Sequence, residues 1–199
     1  MFMLPATFRN RLDRLKRWGY PVVSLSEAVE ALKGRGEVPD CAVVITIDDG
    51  WYSVYSEMMP ALRDAGVSAT LYVATRYVEL QTPVPQVMAR YLRRLEGGAR
   101  LDPDAEQLYA AATDSGEPVA RRLEALELFA LELGVDFEDY VDRRMFSYMN
   151  VAELREVAES GMDIQLHTHN HSMRSFEPDE LVTEITSNRE ALVRMLRSD

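Results

Sequence analysis

An α/β fold built on parallel strands is the class this sequence predicts, and three observations carry it. Short extended runs alternate with helical runs over the first 80 or so of 199 residues and again from about residue 150. The run Ala42 to Ile47 is β-branched and almost wholly apolar, the pattern of a parallel strand covered on both faces. Chemically distinctive residues follow two of the predicted strands, and the carboxyl ends of parallel strands are where α/β folds build their sites.

Taken in order, Thr7 is the expected cap of a first helix with an apolar face of Phe8, Leu12, Leu15 and Trp18, stopped by Gly19. Tyr20 to Val23 is a short extended piece. Ser24 and Glu27 have capping-box spacing and open a helix that runs to Gly34. A linker to Asp40 leads into the strand Ala42 to Ile47, with Asp48 and Asp49 at its end and Cys41 at its start as an expected small buried hydrophobe. Tyr52 to Ala65 reads as a helix capped by Gly66, and Val67 to Val73 as the next buried strand. From residue 81 to 145 strand signals vanish and Ala, Leu, Glu and Arg dominate. Val84 to Leu95, Pro118 to Leu133 and Phe137 to Met145 look helical, broken by Gly97-Gly98 and Asp114-Ser115-Gly116. This stretch is expected to be a helical insertion within one domain spanning residues 1–199. Asn150 with Glu153 then opens a helix closed by Gly161. Met162 to Leu166 is a third buried strand, and Glu177 to Arg197 a last helix with Pro178 in its first turn.

Composition narrows the function classes. The net charge of −11 argues against nucleic acid as a partner, because that interface needs a basic footprint. A hydrophobic content of 47% supports a real core. One cysteine permits no intrachain disulfide. No apolar run approaches a membrane span of about 20 residues. The opening Met1-Phe2-Met3-Leu4-Pro5 is too short for a secretory apolar region. As written, the chain is expected to be cytoplasmic, with an extracytoplasmic location if its true start lies upstream.

All three histidines fall in one window, His167-Thr168-His169-Asn170-His171. Neutral imidazole is the commonest metal ligand. On a helical turn His167 and His171 share a face; on a strand all three histidines do. Either His167 and His171 bind a metal with His169 outside, or all three bind and the carboxylates stand behind them. Upstream, Ile45-Thr46-Ile47-Asp48-Asp49-Gly50 sets two carboxylates at a strand end. An ordinary Asp-Gly turn is the competing reading. Adjacent side chains on an extended segment point opposite ways, so one carboxylate can face a metal and the other a different side of the pocket. Two imidazoles, one carboxylate and a free carboxylate base point to a metal-dependent hydrolase.

These segments resemble the two signatures of the polysaccharide deacetylases, carbohydrate esterase family four. Ile45 to Gly50 is similar to its Thr-Phe-Asp-Asp-Gly signature, with Ile47 in place of Phe, and His167 to His171 to its His-Ser/Thr-x-x-His signature. Phe8 to Leu25 and Pro60 to Val73 are similar to the flanking text in exopolysaccharide members. The resemblance implies an irregular (β/α) barrel, here incomplete, without its first strand and its C-terminal half. It implies Asp48 as general base and Asp49, His167 and His171 as ligands of a divalent metal, most often zinc. Thr168 would orient the second signature. The implied reaction is metal-assisted hydrolysis of N-acetyl groups from amino sugars of a polysaccharide or glycan. The family's general-acid histidine has no counterpart here. A non-catalytic metal- or carbohydrate-binding remnant, and a same-fold hydrolase of small cyclic amides, are the alternatives. Trp51 is a candidate sugar-stacking residue, with packing onto the next helix as its other reading. Arg174 is a candidate contact for an anionic group, with a solvated surface arginine as the alternative. The unpaired edges of a partial barrel leave self-association through exposed strands open.

Overall fold

Proline and side-chain caps decide where the helices start. The computed structural model describes residues 3–95, 101–171 and 177–197, so Gly97-Gly98 and Arg174 lie outside the described residues. Helix α1 (Pro5–Arg17) begins at Pro5, whose missing N–H is harmless in a first turn; Leu4, not Thr7, is its N-cap. Phe8 and Leu12 are buried, whereas Trp18 is exposed. Helix α2 (Leu25–Leu32) carries the predicted reciprocal cap between Ser24 and Glu27. The extended piece before it makes a single parallel bridge, Val22 to Val43.

Three parallel strands, β1 (Thr46–Asp49), β2 (Thr70–Val73) and β3 (Asp163–Leu166), form an open sheet in the order β1-β2-β3. No closed barrel forms among the described residues. The first strand is therefore shorter than the apolar run Ala42 to Ile47 and takes in both aspartates. Two-sided burial also fails for the outer strands. Thr70, Leu71 and Val73 of central β2 are buried, but β1 exposes Thr46 and Asp48, and β3 is only half-buried throughout. A strand with one neighbour keeps one edge open. Cys41 is likewise exposed, at φ +60°, and not a core residue.

After β1 the chain enters a helix that widens into a π-helical turn (Val54–Met58) before α3 (Met59–Ala65). Pro60 lacks the N–H that a regular helix would give to Ser56, and a widened turn accommodates that loss. Helix α4 (Thr75–Leu80) follows β2. The helical stretch then comprises α5 (Pro85–Leu95), α6 (Pro103–Thr113), α7 (Val119–Glu132) and α8 (Phe137–Asp142). Helices α4 and α6 are additions to the elements expected from sequence, although Asp102 before Pro103 is a cap-and-proline start. Helices α5, α6 and α7 enclose a core of their own around Met88, Leu92, Leu126 and Phe129. The main core gathers Val54, Leu71, Val73, Tyr148, Met149, Leu154 and Val157.

Antiparallel bridges Pro83–Ser147 and Trp51–Tyr148 return the chain to the carboxyl end of the sheet. Helix α9 (Val151–Glu159) has the predicted Asn150–Glu153 capping box. Helix α10 (Pro178–Leu196) buries Glu184, Asn188, Ala191, Leu192 and Met195 along one face. No helix among the described residues is long and apolar enough to cross a membrane.

Candidate metal centre

The strand register brings Asp49, Val73 and Leu166 level, so the two signature segments emerge side by side from the same end of the sheet. The β1 segment turns sharply at once. Asp49 has φ +80° and Gly50 φ +102°. A Cβ on Gly50 would meet Val73 Cγ1 at 3.3 Å and the Tyr148 ring at 3.8 Å. Glycine is required both for the conformation and for the close packing. Strand alternation leaves Asp48 exposed and Asp49 half-buried.

Asp49 is the focus of the cluster. Its Oδ1 lies 3.2 Å from His167 Nε2 and 3.1 Å from His171 Nε2. Its Oδ2 accepts a hydrogen bond from Trp51 Nε1 at 2.8 Å. Burial works to raise the Asp49 pKa. The hydrogen bond and charge of His171 and the Trp51 N–H outweigh it, so the carboxyl sits below its ordinary value. His171 is raised in turn, because its hydrogen bond to Asp49 outweighs its own burial. The indole of Trp51 packs edge-on against Tyr148 with ring centroids 4.7 Å apart.

The donor set fits a divalent cation. One atom from each of Asp49, His167 and His171 lies within 4.8 Å of the others. Ligand bonds of about 2.0–2.1 Å at a tetrahedral angle put donor atoms roughly 3.3 Å apart, close to the two carboxylate–imidazole separations found. The side chains of Asp49, His167 and His171 are 20%, 31% and 39% exposed, so one side is open to solvent.

His169 does not join them. Its Nδ1 lies 2.8 Å from Thr75 Oγ1 and its Nε2 3.9 Å from Glu79. The segment is neither a strand nor a helical turn. Thr168 at φ +64° and His171 at φ +52° twist it so that the first and last imidazoles converge while the middle one turns away.

Sequence reasoning misses the residues beneath this loop. Asn188 Oδ1 accepts from the His167 backbone N–H at 2.9 Å, and Glu184 Oε2 from those of His169 and Asn170 at 3.0 and 2.8 Å. Their signal is a pair of polar residues four apart on the otherwise apolar face of α10. Tyr148 is also missed. Its hydroxyl is buried with no hydrogen-bond partner among the described residues, and burial beside Asp49 pushes its pKa up.

The model for the polysaccharide deacetylase family matches residues 35–120. A stretch of 63 residues is 35% identical to poly-β-1,6-N-acetyl-D-glucosamine N-deacetylase of Escherichia coli strain K12, covering 32% of this chain and 9% of that protein. Two solved structures share the fold. IcaB from Ammonifex degensii has a TM-score of 0.58 at 20% identity, over 98% of this chain and 62% of the other. Streptococcus pyogenes deacetylase PplD, in complex with acetate, has a TM-score of 0.56 at 19% identity, over 96% and 57%. The chain thus spans roughly three fifths of each solved structure's length, and the match to the curated relative is far shorter. The matched region begins before β1 and runs through Asp48-Asp49-Gly50, β2 and α5. Over residues 35–120, therefore, the chain is similar to the polysaccharide deacetylase family.

Proposed function

We propose that this chain carries the metal centre of a hydrolase that removes N-acetyl groups from amino sugars of a polysaccharide. The observation that carries the reading is the convergence of Asp49, His167 and His171, from two strands more than a hundred residues apart in sequence, on one point at the sheet's carboxyl end. A divalent cation bound there, zinc by its preference for such nitrogen and oxygen ligands, would supply Lewis acidity toward water and the acetyl carbonyl oxygen. Asp48, one residue before the ligand and exposed, is assigned the role of base that takes the proton from the attacking water. Trp51 occupies the second oxygen of Asp49 and leaves Oδ1 to face the imidazoles. We assign Trp51 to holding the ligand, because its N–H and its packing are both spent inside the site. Thr168 contributes the backbone turn that separates His167 from His169.

The partly exposed ligand set supports a polymer substrate over a small cyclic amide, which would call for an enclosing pocket. The named activity of the Escherichia coli relative makes β-1,6-linked N-acetylglucosamine the first substrate to try. A second reading, a metal-binding unit without turnover, draws on one observation. His167 and His171 are committed to the cluster and His169 to Thr75, so no histidine of this chain is left to protonate a leaving amine. Zinc stoichiometry of wild type and of His167→Ala/His171→Ala, with acetate release from an N-acetylglucosamine oligomer, separates the readings. Near-stoichiometric zinc, lost in the variant, together with acetate release supports the deacetylase. Zinc without acetate supports the binding unit, and no zinc after reconstitution contradicts both.

A further inference from the structure

The ligand loop holds two non-glycine residues in left-handed conformation, Thr168 at φ +64° and His171 at φ +52°. Such positions persist only when the surroundings over-determine them. The β3 end of the loop and its solvent-facing side supply little of that constraint. β3 is a half-buried outer strand that ends at Leu166, and the cluster itself faces solvent. The constraint comes from below.

Asn188 is fully buried and makes bonds on both sides of its amide. Its Oδ1 accepts from His167 N–H at 2.9 Å, while its Nδ2 donates to Val73 O at 2.9 Å and to Thr75 Oγ1 at 3.0 Å. It therefore ties the end of β3 to the end of β2. One helical turn earlier Glu184, also buried, receives the N–H groups of His169 and Asn170 and the Asn170 side-chain amide. Buried polar groups on a helix's core face are costly unless every bond is made, and here they are made to one short loop and to the end of β2 beside it. Thr75 closes the network by meeting both Asn188 and His169 Nδ1.

We infer that Glu184 and Asn188 of α10 are positioning residues, which hold the histidine loop in the twisted conformation where His167 and His171 converge on Asp49. They touch neither ligand side chain and act through the backbone amides of the loop. The consequence for metal binding rests on the function proposed above; the loop-holding itself does not.

The test uses the full chain with Asn188→Ala, Asn188→Asp and Glu184→Gln, read three ways. Circular dichroism checks that each variant folds. Zinc affinity by chelator competition should fall about 10–100-fold for Asn188→Ala, the range for residues that orient metal ligands. Asn188→Asp keeps the acceptor for His167 N–H but sets a carboxylate oxygen against Val73 O in place of the Nδ2 donor, and should recover only part of that loss. Glu184→Gln loses one of the acceptors for its N–H donors and should lie between Asn188→Ala and wild type. Amide hydrogen exchange of the metal-free protein should show the His167–Asn170 amides protected in wild type and released in Asn188→Ala, with β2 and α9 unchanged. A folded Asn188→Ala that binds zinc within twofold of wild type, or keeps its loop amides protected, overturns the inference. If Asn188→Ala does not fold, unchanged affinity and exchange in Glu184→Gln overturn it instead. If wild type binds no zinc, the metal reading fails and the exchange data alone decide the loop-holding role.

Discussion

The two halves of the site are held by different means. The β1 half is local. Asp49, Gly50 and Trp51 fix one another within three residues, through a left-handed turn, a glycine pressed on Val73 and an indole bond to the carboxylate. The β3 half is remote. His167 to Asn170 hang from Glu184 and Asn188, 14 to 21 residues further along the chain. A half fixed mainly by its own turn is broken most directly from within, whereas a remotely fixed half can be loosened without touching a ligand.

The largest effect on folding stability should come from Gly50→Ala. It forces a Cβ into left-handed backbone and to 3.3 Å from Val73 Cγ1. Strain of this kind costs about 1–3 kcal/mol, read as a lower denaturant midpoint. Wild-type stability in Gly50→Ala would break the claim that the β1 half depends on its own turn. Trp51→Phe comes next. It keeps the ring against Tyr148 but removes the bond to Asp49 Oδ2, a charge-assisted bond of about 1.5–3 kcal/mol. Zinc affinity should drop about tenfold or more, and unchanged affinity would show that Asp49 needs no such support.

pH sharpens the comparison because one pair spans both halves. In metal-free protein the raised His171 contributes stability that is full below its unfolded pKa of about 6.5 and is lost as pH rises through the folded value. The lowered Asp49 contributes stability present above about pH 3.9 and lost as pH falls through its folded value. Zinc needs neutral imidazole, so its affinity should rise over the same alkaline range in which the metal-free protein loses this contribution. Denaturant titrations with and without zinc should therefore slope oppositely as pH rises above about 6.5. A flat slope in the metal-free protein would mean that His171 and Asp49 do not interact. The smallest effect should be at Leu131, on the solvent face of the helical stretch. Leu131→Glu should stay within about 0.5 kcal/mol of wild type with zinc affinity unaltered, and a larger loss would show that this face is covered in solution.

Legibility in the sequence follows the same division. The Ser24–Glu27 and Asn150–Glu153 boxes are three-residue devices, and both are plain from residue spacing alone. So are the clustering of the histidines and the carboxylate pair. What escapes depends on distant partners. β1 begins at Thr46 and not Ala42 because its length is set by pairing with β2, which starts at Thr70. Its exposure follows from lying at the sheet edge, which no run of apolar residues reveals. Neither strand nor helix spacing describes the histidine window, since left-handed turns at Thr168 and His171 decide which imidazoles meet. Glu184 and Asn188 are visible as polar residues on an apolar helix face, but their partners are not.

The central claim is a division of labour between adjacent carboxylates, with Asp49 holding the metal and Asp48 moving the proton. Metal content and acetate release measured together on Asp48→Asn test it most directly, with Asp49→Asn beside it. The account predicts that Asp48→Asn keeps near-stoichiometric zinc and loses acetate release by about 10²–10⁴-fold, the contribution of a general base, while Asp49→Asn loses the zinc. Zinc lost from Asp48→Asn, or acetate release retained in it, would contradict the assignment.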